Sequence, residues 1–257
     1  MSTKSILAAS ALMVGLLAAA GPAAAVTVTA GNILSQVIGP SSTVTDPSGF
    51  QVTFTASGGN LDSKTIASVT GVGVSGATGG EIDIGEAILA ASFTSPATLT
   101  SFILAFLYDG PEYNDVQEVA QITVTPFGGG PDLVGTLTTV YVSDTNAVTA
   151  IWSFAPGTVT NLSPALGPPP NSENDGAAQW RVTNPFGNVL VTSVKFEALR
   201  GVSGGSSYCS GGPGTCSNQS DYALNEISLA VPEPGVLGLL GTGLLGVGMM
   251  LRRRRDA

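Results

Sequence analysis

The sequence has no histidine and only two cysteines among its 257 residues. Without histidine, a serine or cysteine nucleophile has lost its usual general base, and a zinc site has lost a common nitrogen ligand. Gly201-Val-Ser-Gly-Gly205 fits the G-x-S-x-G pattern of hydrolases, but we interpret it as a loop because no histidine base exists. Gly71-Val-Gly-Val-Ser-Gly76 fits a dinucleotide-binding pattern, but a turn follows it where the helix of such a site should begin.

Basic residues are also scarce, with nine lysines and arginines against 18 acidic residues. Five of the nine lie near the ends of the chain, at Lys4 and in the run 252–255. The body from residue 26 to 231 keeps four basic residues against 16 acidic ones, which gives it a net charge of −12. Such a surface repels nucleic acid and anionic lipid, so we exclude both as partners of the body.

The N-terminal 25 residues have the pattern of a secretory signal peptide. Lys4 precedes an apolar run from Ile6 to about Ala20, and small residues follow. Ala23 and Ala25 form an A-x-A cleavage site. We therefore expect a signal helix within residues 1–25 and a mature chain that begins at Val26.

The C-terminal segment 231–257 combines three features. A rigid Pro232-Glu233-Pro234 precedes an uncharged apolar run of 17 residues at 235–251, and four arginines follow (Arg252, Arg253, Arg254 and Arg255). As a helix, the run would span about 25 Å of a hydrocarbon core that is about 30 Å thick. We expect a single short membrane-spanning helix with its arginines in the cytoplasm. An ordinary anchor and a processing signal are both open interpretations.

The combination of Pro-Glu-Pro, apolar helix and arginine cluster resembles the PEP-CTERM sorting signal of Gram-negative bacteria. This resemblance implies export, transient anchoring in the cytoplasmic membrane and processing by an exosortase-type enzyme near Glu233. It further implies a final location at the cell surface or in an exopolysaccharide or biofilm matrix. The resemblance says nothing about the activity of the domain at 26–230, which lies between the signal peptide and the sorting segment.

Short stretches of alternating apolar and polar residues fill the body, and this period of two predicts strands. We assign them to 26–29, 50–55, 65–74, 81–84, 88–93, 99–108, 119–125, 133–142, 148–154, 179–183, 191–197 and 222–229. No segment of the body has a long helical period. We predict an all-β domain, namely a two-sheet sandwich of jelly-roll type.

Two groups of polar residues are candidates for a structural role. Cys209 and Cys216 should form a disulfide in the oxidising compartment outside the cytoplasm. Asp109, Glu112 and Asp115 lie in one short turn, and Ca²⁺ takes six to eight oxygen ligands in such loops. A solvated acidic loop is the alternative, because the spacing is not that of an EF-hand. We expect no other cofactor.

Trp180 and Trp152 are candidates for stacking on sugar rings or for core packing. Trp152 shares a strand face with Phe154, which favours the core, whereas Trp180 lies beside Arg181 and is a candidate ligand-stacking residue. Our leading hypothesis is an exported surface or matrix protein without catalytic residues. The alternatives are a carbohydrate-binding module, with or without Ca²⁺, and an exported glycosidase, for which two facing carboxylates suffice.

Overall fold

The computed structural model describes residues 24–108, 117–140, 149–163, 178–202 and 220–232. These residues form fifteen strands and one short helix, α1 (Ala30–Leu34). The first eight strands are β1 (Ala24–Thr29), β2 (Val37–Ile38), β3 (Ser41–Thr45), β4 (Gln51–Ser57), β5 (Leu61–Ile66), β6 (Val69–Val74), β7 (Ala87–Ala91) and β8 (Ala97–Ala105). The other seven are β9 (Gln117–Pro126), β10 (Leu133–Val140), β11 (Thr149–Trp152), β12 (Thr158–Asn161), β13 (Trp180–Thr183), β14 (Leu190–Val202) and β15 (Ala223–Val231).

The alternating sequence pattern corresponds to an alternation of burial along the strands. In β4, for example, Val52, Phe54 and Ala56 are buried, whereas Gln51 and Thr55 are exposed. Successive side chains of a strand point to opposite faces, so one face of each strand supplies the core. The all-β class expected from the sequence is therefore confirmed.

The predicted two-sheet sandwich is wrong, because all the strands belong to one hydrogen-bonded sheet. The main path runs β2-β3-β4-β7-β14-β8-β15-β6-β5, and the remaining strands branch from it. The long strand β14 pairs with both β7 and β9, while its first residues, Leu190 and Val191, pair with Thr98 and Ala97 of β8. This short pairing joins what would otherwise be two separate sheets.

Aromatic side chains fill the interior where parts of this sheet face each other. The ring centroid of Phe102 on β8 lies 5.5 Å from that of Trp152 on β11 and 5.9 Å from that of Phe196 on β14. Both ring pairs meet edge-on. Burial of each such side chain stabilises the fold by about 1.5–3 kcal/mol. Residues 25–230 form one compact unit around this core.

The helix α1 follows β1 directly and is fixed by a capping box. The Thr29 hydroxyl accepts a bond from the Asn32 amide, and the Asn32 side chain accepts one from the Thr29 amide. Within the described ranges, no helix is long and apolar enough to cross a membrane, so the membrane-spanning helix of our fold prediction has no counterpart among these residues. The segment assigned to that span, 235–251, and nearly all of the expected signal helix lie outside those ranges.

Candidate functional site

Most of the site residues predicted from sequence lie outside the described residues, and their roles stay predictions. These are Ala23, Asp109, Glu112, Asp115, Cys209, Cys216, Glu233, Pro234, Arg252, Arg253, Arg254 and Arg255. Ala25 is described and is an exposed residue of β1. Pro232 is also described and directly follows the end of β15.

Trp180, the candidate stacking residue, lies in the interior. Its side chain is 2% exposed, and its indole N–H donates to the Leu107 carbonyl at 2.8 Å. Trp180 and Val182 are buried on one face of β13, whereas on the other face Arg181 is half-buried and Thr183 is exposed. A sugar could reach this ring only if the surrounding structure opened.

Trp152 is held in a similar way. Its indole N–H donates to the Pro185 carbonyl at 3.0 Å, and its ring meets Phe186 edge-on with 5.5 Å between centroids. Two glycines leave room for the indole, since a Cβ on Gly135 or Gly157 would lie within 2.4 Å of ring atoms. Trp152 is thus a packing residue, as its position on the strand suggested.

The densest group of buried charge lies at residues 81–86, which we name the acidic segment. Sequence alternation predicts a strand at 81–84, but the structure has three isolated bridges there instead. Val74 pairs with Glu81, Ile82 with Tyr222 and Ile84 with Ala198. The segment therefore connects the end of β6 with β14 and with the residue that precedes β15.

Two carboxylates of the acidic segment satisfy backbone amides nearby. Glu86 accepts bonds from the Ala77 amide at 3.1 Å and from the Asp83 amide at 3.0 Å. Asp83 accepts from the Thr78 amide at 2.6 Å. Buried carboxylates need such partners to replace lost water, so these two residues fix the turn that leads into the segment.

Glu81 is different because its partner is a side chain of another strand. Its Oε2 lies 2.8 Å from Nζ of Lys64 on β5. The two groups form a close ion pair, but their geometry is not that of a well-aligned hydrogen bond. Burial raises the pKa of Glu81 to about 7, and the nearby Asp221 and Asp83 act in the same direction, while Lys64 opposes them. Sequence reasoning missed this pair, although Lys64 is one of only four basic residues in the body.

A further buried carboxylate, Glu118 at the start of β9, ties four parts of the chain together. It accepts bonds from the amides of Tyr108 and Asp221. Its own amide donates to the hydroxyl of Thr139 at 2.9 Å, and that hydroxyl lies 2.6 Å from the Tyr108 carbonyl. This arrangement joins the ends of β8, β9 and β10 to the chain before β15.

A metal centre needs several ligand side chains grouped around one point. Among the described residues, no three histidine, cysteine or acidic side chains are grouped so that they could hold a metal ion. The acidic turn proposed for Ca²⁺ lies outside the described residues. Chemically, Asp83, Glu86 and Glu118 accept hydrogen bonds from backbone amides, and Glu81 exchanges a proton near neutral pH.

Comparison with known proteins identifies the C-terminal segment. Residues 230–255 match the PEP-CTERM protein-sorting motif, which confirms the resemblance seen in the sequence. No curated protein and no solved structure matches the chain. The motif supports export, sorting to the cell surface and processing by an exosortase-type enzyme, and it begins in the last two residues of β15.

Proposed function

Because the chain carries a PEP-CTERM sorting motif, we propose that it is a non-enzymatic protein of the cell surface or of the extracellular polysaccharide matrix. The sorting motif is the observation that carries this proposal. Its position supports the proposal further. Pro232 follows β15 without a spacer, so processing within 231–234 would leave β15 in the displayed protein.

The surroundings of three of the four buried acids support a structural protein over a glycosidase. Glycoside hydrolysis needs two carboxyl groups that face each other across a sugar, with water able to reach one of them. Asp83, Glu86 and Glu118 are at most 7% exposed, and each is bound to backbone amides. Their loss would therefore change stability before it changed any reaction.

The burial of the two tryptophans likewise supports a structural protein over a carbohydrate-binding module that stacks sugars on them. Recognition of a sugar ring by stacking needs an accessible aromatic face. Trp152 and Trp180 are 8% and 2% exposed, and both indole N–H groups are bonded to carbonyls of the chain. A role in the matrix therefore does not depend on stacking by these two residues.

The proposal is tested by incubating the purified protein with the polysaccharide of its own cells and on a glycan array, with and without Ca²⁺. We expect no release of reducing sugar and no Ca²⁺-dependent binding of a defined oligosaccharide. The variant Asp109→Asn, Glu112→Gln, Asp115→Asn serves as the probe of the acidic turn, and Trp180→Phe serves as the control for core packing.

Two results would overturn the proposal. Release of reducing sugar that disappears in the acidic-turn variant would identify a glycosidase. Specific oligosaccharide binding that requires Ca²⁺ and is lost in that variant would identify a binding module. Trp180→Phe should lower stability without changing either measurement.

A further inference from the structure

The hairpin formed by β5 and β6 has little backbone pairing with the rest of the sheet. Its two strands pair with each other over six residue pairs. By contrast, β6 pairs with β15 at one position only, Val72 with Leu224. The Asn225 side chain adds one bond, to the Thr70 carbonyl at 2.8 Å. The β5–β6 hairpin is held otherwise by the packing of its buried side chains, Val72 and Val74 among them, and by its contacts with the acidic segment.

Those contacts are close and centre on Glu81. The Val74 amide donates to the Glu81 carbonyl at 2.7 Å, and Lys64 Nζ lies 2.8 Å from the Glu81 carboxylate. The backbones also approach closely, since a Cβ on Gly73 would lie 2.3 Å from the Glu81 nitrogen. The carboxyl group of Glu81 is thus enclosed between the hairpin and the acidic segment, and its side chain is 2% exposed.

The charges around this carboxyl are unbalanced. Lys64 is its ion-pair partner, and Asp62 lies on the same face of β5. Asp83 of the acidic segment and Asp221, just before β15, also act on it electrostatically. Tyr222 pairs with Ile82, the residue after Glu81, and burial raises the pKa of its hydroxyl. When Glu81 ionises, its carboxylate joins those of Asp83 and Asp221 near one ammonium group, in a body that is already strongly acidic.

We propose that Glu81 is a proton-operated latch, which fastens the β5–β6 hairpin while the carboxyl is protonated and loosens it when the carboxyl ionises. In the closed state the carboxyl is buried among acidic neighbours. In the open state it reaches water and releases its proton more readily. Opening of the hairpin is therefore coupled to the release of one proton from Glu81, independently of the role proposed for the protein at the cell surface.

The direction of the effect follows from the two states. The pKa of Glu81 is about 7 in the closed state, against 4.5 for a solvated glutamate. The stabilisation of the closed hairpin by the protonated Glu81 carboxyl is fully present below pH 4.5 and is lost as the pH rises through about 7. Between these limits the equilibrium constant for opening should rise about tenfold per pH unit, or about 300-fold in all. Above this range it should level off.

Amide hydrogen exchange of the full-length protein, measured by NMR between pH 5 and pH 8, tests the latch. The reporters are the amides of Val74 and Gly80, which bond to the Glu81 and Val74 carbonyls, with the Val124 amide of β9 as an internal reference. After correction for intrinsic exchange, we expect the opening constant of the reporters to rise with pH and that of the reference to change much less.

Variants separate the latch from a general effect of pH. Glu81→Gln should remove the pH dependence, whereas the control Glu226→Gln, on β15, should keep it. Lys64→Gln removes the ammonium group and should extend the rise to higher pH, because the pKa of Glu81 increases in the closed state only. A direct ¹³C titration of the Glu81 carboxyl in the unaltered protein gives the same information if a variant fails to fold. The proposal is overturned if the reporters do not respond to pH, if Glu81→Gln responds as the unaltered protein does, or if the carboxyl titrates near 4.5.

Discussion

Gly135 of β10 lies against the indole of Trp152, so its replacement by alanine tests the packing of the core. A Cβ at this position would lie 2.2 Å from Cζ2 and 2.4 Å from Cη2 of the indole, whereas carbon atoms in contact are about 3.5–4.0 Å apart. The ring has little freedom to move, because Phe102 and Phe186 meet it edge-on and the Pro185 carbonyl holds its N–H.

Overpacking of this kind costs about 1–3 kcal/mol. The smaller entropy of alanine in the unfolded chain offsets up to about 1 kcal/mol of that cost. We therefore expect Gly135→Ala to lower the free energy of unfolding by about 1–2 kcal/mol. Urea unfolding monitored by tryptophan fluorescence measures this directly, since the chain has only two tryptophans and both lie in the core.

Gly31→Ala provides a matched control in α1. The nearest atom to its added Cβ would be the Thr29 hydroxyl oxygen at 3.7 Å, an ordinary contact. This change should be neutral or stabilise the protein by up to about 1 kcal/mol. If Gly135→Ala were as stable as the unaltered protein while the control behaved as expected, the position of Trp152 against β10 would be refuted.

Three further changes test other parts of the structure. Ala67 and Ser68 form the turn between β5 and β6 with φ of 49° and 69°. Because Asn-Gly suits such a turn, the double variant Ala67→Asn, Ser68→Gly should raise the free energy of unfolding by about 1–2 kcal/mol, measured as a higher urea midpoint. In urea unfolding, the free energy of unfolding should fall between pH 4.5 and pH 7, and Glu81 should account for on the order of 3 kcal/mol of the decrease. In Glu81→Gln, the free energy of unfolding should depend less on pH. The buried Ser42 hydroxyl donates to the Ile33 carbonyl at 2.6 Å, so Ser42→Ala should cost about 1 kcal/mol in thermal unfolding; no loss would mean that this bond does not anchor α1.

Strands whose burial alternates are the part of the fold that the sequence predicts best. The segments 50–55 and 119–125 agree with β4 and β9, because one face of each lies in the core. The segment 65–74 was predicted as one strand, yet it contains the end of β5, a turn and β6. That turn uses Ala67 and Ser68 where glycine or asparagine is usual, so the local sequence carries no turn signal.

Strand pairing was not predictable in the same way. The pairing of Leu190 and Val191 with β8 joins the sheet, but it links residues that are about 90 positions apart in the chain. No local pattern encodes such a contact, and the strand changes partners along its 13 residues. For this reason the sequence predicted the all-β class correctly and the two-sheet arrangement wrongly.

The candidate site shows the same division between local and long-range information. The sorting motif is a continuous segment, so it was identified from the sequence, and the match over residues 230–255 confirms it. The burial of Glu81 depends on β5 and on the residue before β15, both of which are remote in sequence. Its alternating neighbours, Ile82 and Ile84, predicted an ordinary strand and gave no sign of the ion pair with Lys64.

The mass of the intact protein recovered from the cell surface tests the central claim most directly. Export and exosortase processing predict a chain that begins at Val26 and ends within 231–234, and a longer chain retained in cells that lack the exosortase. Recovery of a surface protein that still carries residues 235–257 would contradict the account.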